Sequence, residues 1–425
     1  MTATEASADR AHGSRLTLVF VNRFFHPDIS ATSQMLSDLA FFLATRGHQV
    51  TVITSRQLYE DAGARLPPIE TVSGVRIIRV ATTAFGRASL FGRALDYLTF
   101  YASAAFALVR CAARDTVVVA KTDPPMISVP AALACRLRGA TLVNWLQDVF
   151  PEIASALGVR ALGGFIGRIA RILRDWSLRS AATTVVLGER MRKVISELGI
   201  PPGKLQIIAN WADGTLIRPI AREASRLRRD WGVQDSFVVC YSGNFGRGHE
   251  FRTMLEAAAR VQAAEGPSPE TIFLFIGGGA RRRFVEESAR QLGLRNLRMA
   301  EYQPREQLGE SMAVGDVHLA TLLPALEGLM VPSKFYGIAA AGRPTLFVGD
   351  PDGEIPRILS RHGIGVTVMP GDTEGLVAAL LDMKLNPEKR LAMGARARKV
   401  FEADYDKPVA MARWESVLGA ARGTR

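Results

Sequence analysis

Two doubly wound α/β domains, each built on a parallel sheet, are predicted by three features of this 425-residue sequence. Short runs of β-branched and aliphatic residues recur along the chain, separated by stretches of helical character. The runs show no polar alternation, which is the pattern of strands covered on both faces. The series ends near residue 210, passes a polar, Pro-containing connection, and then starts again.

The elements follow in order. "LTLVFV" (16–21) is a buried-strand run. A helix is expected from Ala31 to Arg46, stopped by Gly47, and "QVTVIT" (49–54) is the next strand. "VRIIRV" (75–80), "TVVVA" (116–120), "ATLVNWL" (140–146), "TTVVL" (183–187) and "LQIIA" (205–209) complete the first series. "NWADGTLIRPIAREASR" is the linker, placed at 210–225. The second series is "SFVVCYSGN" (236–244), "TIFLFIGGG" (271–279), "VHLATL" (317–322), "TLFVG" (345–349) and "GVTVM" (365–369). Residues 1–14 read as a disordered tail, 15–215 and 216–405 as the two domains, and 406–425 as a C-terminal helix returning to the first domain.

Composition narrows the function. Hydrophobic residues make up 48%, enough for two cores, and the net charge of +12 points to a polyanion, a phosphate-rich ligand or an anionic membrane surface. Cys111, Cys135 and Cys240 lie far apart, with no metal-type spacing, which fits a reducing compartment. No apolar run reaches the roughly 18 residues of a spanning helix.

In doubly wound sheets ligands bind outside the carboxyl ends of the strands, so the turns there are the candidates. "YSGNFGRGHEF" places Gly243, Gly246 and Gly248 after a strand, where the backbone can approach an anion, with Arg247 to pair with phosphate. A tight turn with a surface arginine is the competing reading. "FIGGGARRRF" is a second such turn, and its Arg281–Arg283 run reads mainly as a solvated helix face. In "EGLMVPSKFYGIAAAGRP" (327–344) Ser333 can cap a helix from whose N-terminus Lys334 projects. A cation at that end is unfavourable without an anion nearby, which suggests a diphosphate. "AAAG" allows this helix to pack closely on a neighbour. In the first domain Asp148 and Glu152 flank the turn "LQDVFPE", and Asp148 either handles an acceptor hydroxyl or caps the next helix. His26, in "FFHPD", is a weaker candidate, and His249 either bonds a phosphate or caps. The Asp-x-Asp spacing of Asp350 and Asp352 resembles a Mn²⁺–diphosphate motif, but two domains with two Gly-rich turns argue against that use. No metal is expected; Arg and Lys would neutralise the diphosphate.

Taken together, "FFHPDISATSQMLSDLAFFLATRGHQVTVIT", "KTDPPM", "WLQDVFPE", "IIANWAD", "YSGNFGRGHEF" and "LEGLMVPSKFYGIAAAGRP" resemble the retaining glycosyltransferases of family 4. More closely, they resemble the bacterial O-antigen, capsule and exopolysaccharide (colanic-acid-type) branch. The resemblance implies the GT-B fold, two Rossmann-like domains facing each other across a cleft. It implies a nucleotide-sugar donor on the second domain, with Gly243, Asn244, Gly246, Arg247, Ser333 and Lys334 at the diphosphate. Gly277, Gly278 and Tyr302 would lie at the nucleoside. Glu327 matches the first acid of the family's Glu-x7-Glu motif and would be catalytic together with Asp148. The second acid, the ribose ligand, falls on Gly337 and is missing; Glu354 in "GDPDGEIPRI" is the nearest replacement, unless it only serves a helix dipole. His26, Asp28 and Glu152 would line the acceptor side.

The expected activity is transfer of a hexose or amino-hexose from a UDP-sugar to a polyprenyl-diphosphate-linked saccharide at the cytoplasmic membrane face. A UDP-sugar 2-epimerase-like isomerase and a non-catalytic partner subunit are the alternatives. Two stretches bear on the membrane: the apolar 95–109, flanked by Arg87, Arg93 and Arg110, and 165–179. In the latter Phe165, Ile169, Ile172, Leu173 and Trp176 share one face, and Arg168, Arg171, Arg174 and Arg179 the opposite arc. That is the pattern of an interfacial helix, or of a helix whose apolar face packs on the sheet.

Overall fold

A computed structural model describes residues 15–86, 90–159, 164–266, Ser268 and 270–423. The expected tail, 1–14, and Arg87 lie outside the described residues. The chain divides into two compact units. One comprises Met1–Leu187, Arg192–Ile208 and Met411–Arg425, the other Gly188–Met191 and Ala209–Ala410.

The first unit runs β1 (Thr17–Val21), α1 (Ala31–Thr45), β2 (Gln49–Ser55), β3 (Ile69–Val72), β4 (Val75–Val80), α2 (Leu90–Cys111), β5 (Thr116–Lys121), α3 (Ser128–Arg138), β6 (Thr141–Trp145), α4 (Glu152–Ala156), α5 (Phe165–Ser180), β7 (Thr183–Val186), α6 (Glu189–Glu197) and β8 (Leu205–Ile207). The strand order is β3-β4-β2-β1-β5-β6-β7-β8. The pairings are parallel except β3 with β4. The order reverses between β1 and β5. Strand β3 was missed in the sequence because "IETV" is short and polar. Its signal is the Ser73–Gly74 turn, where both residues have positive φ (46° and 79°), the geometry of a two-residue hairpin.

The second unit continues with α7 (Arg226–Asp230), β9 (Phe237–Ser242), α8 (Arg252–Glu265), β10 (Thr271–Ile276), α9 (Arg282–Gln291), β11 (Leu297–Ala300), α10 (Leu308–Ala313), β12 (Val317–Thr321), α11 (Lys334–Ala340), β13 (Thr345–Val348), α12 (Glu354–His362), β14 (Gly365–Val368), α13 (Thr373–Leu385) and α14 (Pro387–Asp404). Its sheet is parallel, in the order β11-β10-β9-β12-β13-β14. The order reverses between β9 and β12. The sequence missed β11 as well, since "LRMA" carries no β-branched residue. A core of Phe, Val and Leu covers one face of this sheet, and a smaller cluster around Leu227, Val238, Ile272 and Leu274 covers the other. This two-sided burial is why the strands read as unbroken apolar runs.

The close packing expected of "AAAG" falls on α14. A Cβ on Gly394 would lie 2.2 Å from the Gly342 carbonyl oxygen, and Arg398 donates to the Ala340 carbonyl at 2.6 Å. The last helix, α15 (Lys407–Gly423), carries Trp414, fully buried with its ring 4.5 Å from that of Trp145. Glu415 on the same helix accepts from Arg46 at 3.3 Å and pairs with His48 at 3.2 Å.

Candidate active site

The strongest cluster lies where the strand order of the second unit reverses, at the ends of β9 and β12. Lys334 begins α11, and its Nζ donates to the Asn244 carbonyl at 3.1 Å and to His249 Nε2 at 3.0 Å. The ammonium also lies 4.9 Å from the centre of the Tyr241 ring. His249 is buried, and its Nδ1 is 2.8 Å from the Thr321 carbonyl, so Nδ1 carries the proton and Nε2 offers its lone pair to the lysine. Burial, and then the Lys334 charge, push the imidazole down to about 3, so the histidine is neutral. Burial pushes the Lys334 ammonium down to about 7. The His249 side chain therefore spends both ring nitrogens on protein groups, the Thr321 carbonyl and the Lys334 ammonium.

Glu327 follows β12. One carboxylate oxygen accepts from the Glu354 N–H at 3.1 Å, while Oε1 is buried with no hydrogen-bond partner. Burial raises the Glu327 carboxyl to about 7, with Asp350 and Glu354 adding to the shift and the Glu354 N–H and Arg190 opposing it. A Cβ on Gly353 would lie 2.3 Å from Oε1, so only glycine lets the backbone approach this carboxylate. A half-buried acid with one orphaned oxygen is the arrangement expected of a group awaiting a hydroxyl donor.

Several expectations need correction. The two Gly-rich turns are braced by backbone bonds to each other and to the neighbouring strands. Gly243 N donates to the Ile276 carbonyl at 2.9 Å, Gly277 N to Ala300 at 2.9 Å, and Phe245 N to Gly278 at 2.7 Å. Added Cβ atoms would lie 2.3 Å from the Gly243 oxygen at Gly277, and 2.2 Å from Asn244 Oδ1 at Gly279. These two residues also have φ of 126° and 136°, which side chains rarely adopt. Gly243, with φ of 127°, leaves room for the Lys334 stem, 2.8 Å from where a Cβ would stand. Gly246 and Gly278 border His249 and Tyr302. Ser333 stands at the N-cap position but makes no side-chain cap bond. Its backbone is in the αR region (φ −70°, ψ −15°), not the extended one a capping side chain needs. Arg247 is exposed and unpaired among the described residues. Arg282 and Arg283 sit in surface ion pairs with Glu286, Glu301 and Glu287. Tyr302 is half exposed, donates to the Gly278 carbonyl at 3.2 Å and lies over the second turn.

Glu354 is engaged. Its Oε2 accepts from Arg190 N at 2.9 Å, and a Cβ on Gly188 would overlap its carboxylate. It thus caps the first turn of α6, a helix-end role, rather than standing free for a ribose. The position of the missing second acid, Gly337, faces Met312 and Ile217 at ordinary contact distance. Asp350 and Asp352 form a local turn, with Asp352 N donating to Asp350 Oδ1 at 2.9 Å. Among the described residues no cluster of His, Cys, Asp and Glu has metal-site geometry.

On the first unit, Asp148 follows β6 and has no hydrogen-bond partner among the described residues. Burial raises its carboxyl to about 6; Asp123 adds to the shift and Lys121 opposes it. His26 is half-buried with its ring against Phe41. Asp28 is buried and accepts from Ser30 N at 2.8 Å and Tyr59 N at 2.5 Å, so it ties a loop together instead of facing an acceptor. Glu152 is likewise committed, forming a two-pronged pair with Arg174 at 2.8 and 3.0 Å. Sequence reasoning missed Lys121; the lysine in "KTDPPM" was its signal.

The same Arg174 corrects the α5 reading. It is buried, bonded also to Asp175 and the Phe150 carbonyl, and so does not belong to a solvated arc. The face packed inward is Gly167, Arg174, Ser177 and Leu178. Phe165, Ile166, Ile169, Ile172 and Leu173 are exposed. On α2, Phe91, Leu98 and Phe106 are exposed too, and on α3, which packs between α2 and α5, Leu133 and Leu137. No helix among the described residues is long and apolar enough to cross a membrane.

Comparison with known proteins fits this geometry. The model of the glycosyl transferase 4-like domain matches residues 31–211, and that of glycosyl transferases group 1 matches 223–400. The chain belongs to the GT-B glycosyltransferases of family 4. It is 29% identical over 307 residues to WbjE of Pseudomonas aeruginosa, named as a glycosyltransferase, covering 72% of this chain and 75% of that one. It is 24% identical over 395 residues to WcaI of Escherichia coli (strain K12), named as a colanic acid biosynthesis glycosyl transferase, covering 90% and 95%. Among solved structures, Anabaena HepE in complex with UDP and glucose superposes with a TM-score of 0.70 at 17% identity, covering 96% of this chain and all of that one. As a family 4 glycosyltransferase of the polysaccharide branch, the protein is an enzyme, and the isomerase and non-catalytic alternatives fall away.

Proposed function

We propose that this glycosyltransferase moves a hexose or amino-hexose, with retention and without a metal, from a UDP-sugar to a polyprenyl-diphosphate-linked saccharide. The observation that carries the donor half is the pairing of Lys334 with neutral His249, and the orphaned oxygen of Glu327 supports it. A diphosphate next to Lys334 would stabilise its charged form, and the cation would in turn neutralise the leaving group as the sugar–phosphate bond breaks. Arg247, exposed on the first turn, supplies a second cation. The orphaned Glu327 oxygen accepts from a donor-sugar hydroxyl. Tyr302 offers an aromatic surface to the nucleobase over Gly277 and Gly278. The UDP in the HepE complex supports the choice of base. On the first unit Asp148, with no hydrogen-bond partner among the described residues, takes the proton of the acceptor hydroxyl.

For the acceptor, the support is the exposed apolar face of α2, α3 and α5, bordered by the exposed Arg110, Arg136, Arg138 and Arg168. Apolar side chains presented outward among arginines suit the interface of an anionic bilayer, which supports a position at the inner face of the plasma membrane. The test is a panel of nucleotide diphosphate sugars scored by protection against thermal unfolding and then by transfer to lipid extract. The UDP-sugar reading predicts that UDP compounds raise Tm and that EDTA leaves transfer intact. Protection by a different nucleotide series, or loss of transfer on chelation, would refute it.

A further inference from the structure

The first Gly-rich turn of the second unit holds a histidine whose packing does not need its second nitrogen. His249 is buried, its ring set edge-on to those of Tyr241 and Phe251, at 6.2 and 6.3 Å between centres. Three bonds lace its turn to the end of β12. Nδ1 donates to the Thr321 carbonyl at 2.8 Å, Glu250 N donates to Thr321 Oγ1 at 3.2 Å, and Leu323 N donates to the Gly248 carbonyl at 2.9 Å. With Nδ1 committed as a donor, Nε2 keeps a lone pair, and Lys334 Nζ lies 3.0 Å from it.

Lys334 reaches this point from the start of α11. Its stem passes Gly243, where a Cβ would lie 2.8 Å from Cε. An ammonium has three N–H donors. One goes to His249 Nε2 and one to the Asn244 carbonyl at 3.1 Å, which also accepts from the Tyr241 hydroxyl at 2.9 Å. These two fixed acceptors set the direction of the third N–H, which has no hydrogen-bond acceptor among the described residues. A carboxylate in place of the imidazole would hold the lysine too, but it would cancel the charge and repel an anion; a neutral acceptor does neither. We propose that His249 is a positioning residue for the donor diphosphate: by taking one N–H of Lys334 it turns the third toward a diphosphate oxygen and leaves the ammonium its charge. This rests on the placement of the diphosphate at Lys334.

The ring makes its bond to β12 through the other nitrogen, so the two roles can be separated by side-chain length. Asparagine places its amide where Nδ1 stands; it can still donate to Thr321 but falls short of Lys334. Glutamine carries an amide oxygen out to the level of Nε2 and can accept from Lys334. Calorimetry with UDP compares wild type, His249→Asn and His249→Gln, each also combined with Lys334→Met, and thermal unfolding checks that every variant is folded. The expected result is that His249→Asn weakens UDP binding about 2- to 12-fold, the effect of one hydrogen bond, and that His249→Gln rescues it to within about twofold of wild type. In the Lys334→Met background His249→Asn should change affinity by less than about twofold, because the group it positions is gone. A ring that serves only to tie the turn to β12 gives other results. His249→Asn then keeps UDP affinity while His249→Gln loses it, or His249→Asn lowers affinity by the same factor with and without Lys334. Either outcome overturns the inference and leaves Lys334 in the site. Where His249→Asn does not fold, loss of UDP affinity in folded His249→Gln overturns it alone. Unchanged UDP affinity in Lys334→Met would instead remove the diphosphate from Lys334, and the inference with it.

Discussion

Replacing Lys334 with methionine keeps the side-chain stem that fills the space beside Gly243 and Tyr241 and removes only the charge. The lost interaction is a charge-assisted contact to the donor diphosphate, roughly 1.5–3 kcal/mol. That weakens UDP binding about 10- to 150-fold, since each 1.4 kcal/mol is about tenfold. The pH dependence is more diagnostic. Free Lys334 titrates at about 7, and an adjacent diphosphate raises that value, so above neutrality binding takes up a proton. The contribution is complete below pH 7 and falls as pH rises above it, by at most about tenfold per unit. The window from pH 7 to 9 lies above the phosphate's own last ionisation, at about 6. Calorimetry with UDP across that window should therefore show affinity falling with pH in wild type and flat in Lys334→Met. His249 stays neutral throughout, so it adds no slope. Equal affinities and equal slopes in the two proteins would refute the placement of the diphosphate at Lys334.

Three further predictions use other parts of the molecule. Glu327→Gln should bind UDP normally but lose most transfer, because it changes the acid with the orphaned oxygen and leaves the lysine alone; near-normal turnover in a sugar-transfer assay would remove Glu327 from the site. Glu354→Ala should lower unfolding stability by about 0.5–2 kcal/mol, as loss of a helix cap does, with unchanged UDP affinity, whereas a ribose ligand would show the reverse in paired calorimetry and denaturant melts. On α5, Arg168→Gln/Arg171→Gln should reduce pelleting with anionic vesicles at low salt, and Ile166→Ser/Ile172→Ser at every salt concentration; a wild type that ignores the vesicles would refute the membrane face.

The fold was legible because the central strands are buried on both faces and so read as apolar runs. The two missed strands, Ile69–Val72 and Leu297–Ala300, are both at sheet edges, where burial on one side suffices and polar residues are tolerated. The candidate site was legible in residue type more than in role. Lys334 and Glu327 stood out as isolated charges on apolar ground, and the structure gives both unusual electrostatics. His249, Asp28, Glu152 and Glu354 could not be assigned from sequence, since their partners Lys334, Tyr59, Arg174 and Arg190 lie from 22 to 164 positions away. The apolar face of α5 had the correct periodicity, but which way it turned was decided by Arg174, whose buried pair reverses the usual orientation of an amphipathic helix.

The bracing of the two Gly-rich turns constrains how this enzyme can be re-engineered. A side chain at Gly243 would meet Lys334, at Gly277 the Gly243 carbonyl, and at Gly279 Asn244 and Phe245, and all three have positive φ, so a mutagenic library that diversifies them would strain the fold whatever nucleotide is used for selection. The freedom to change donor preference lies in the side chains carried on that fixed platform. Tyr302 and Arg247 are exposed, and under the function proposed above a small library confined to these two positions would sample base and phosphate recognition while sparing the scaffold.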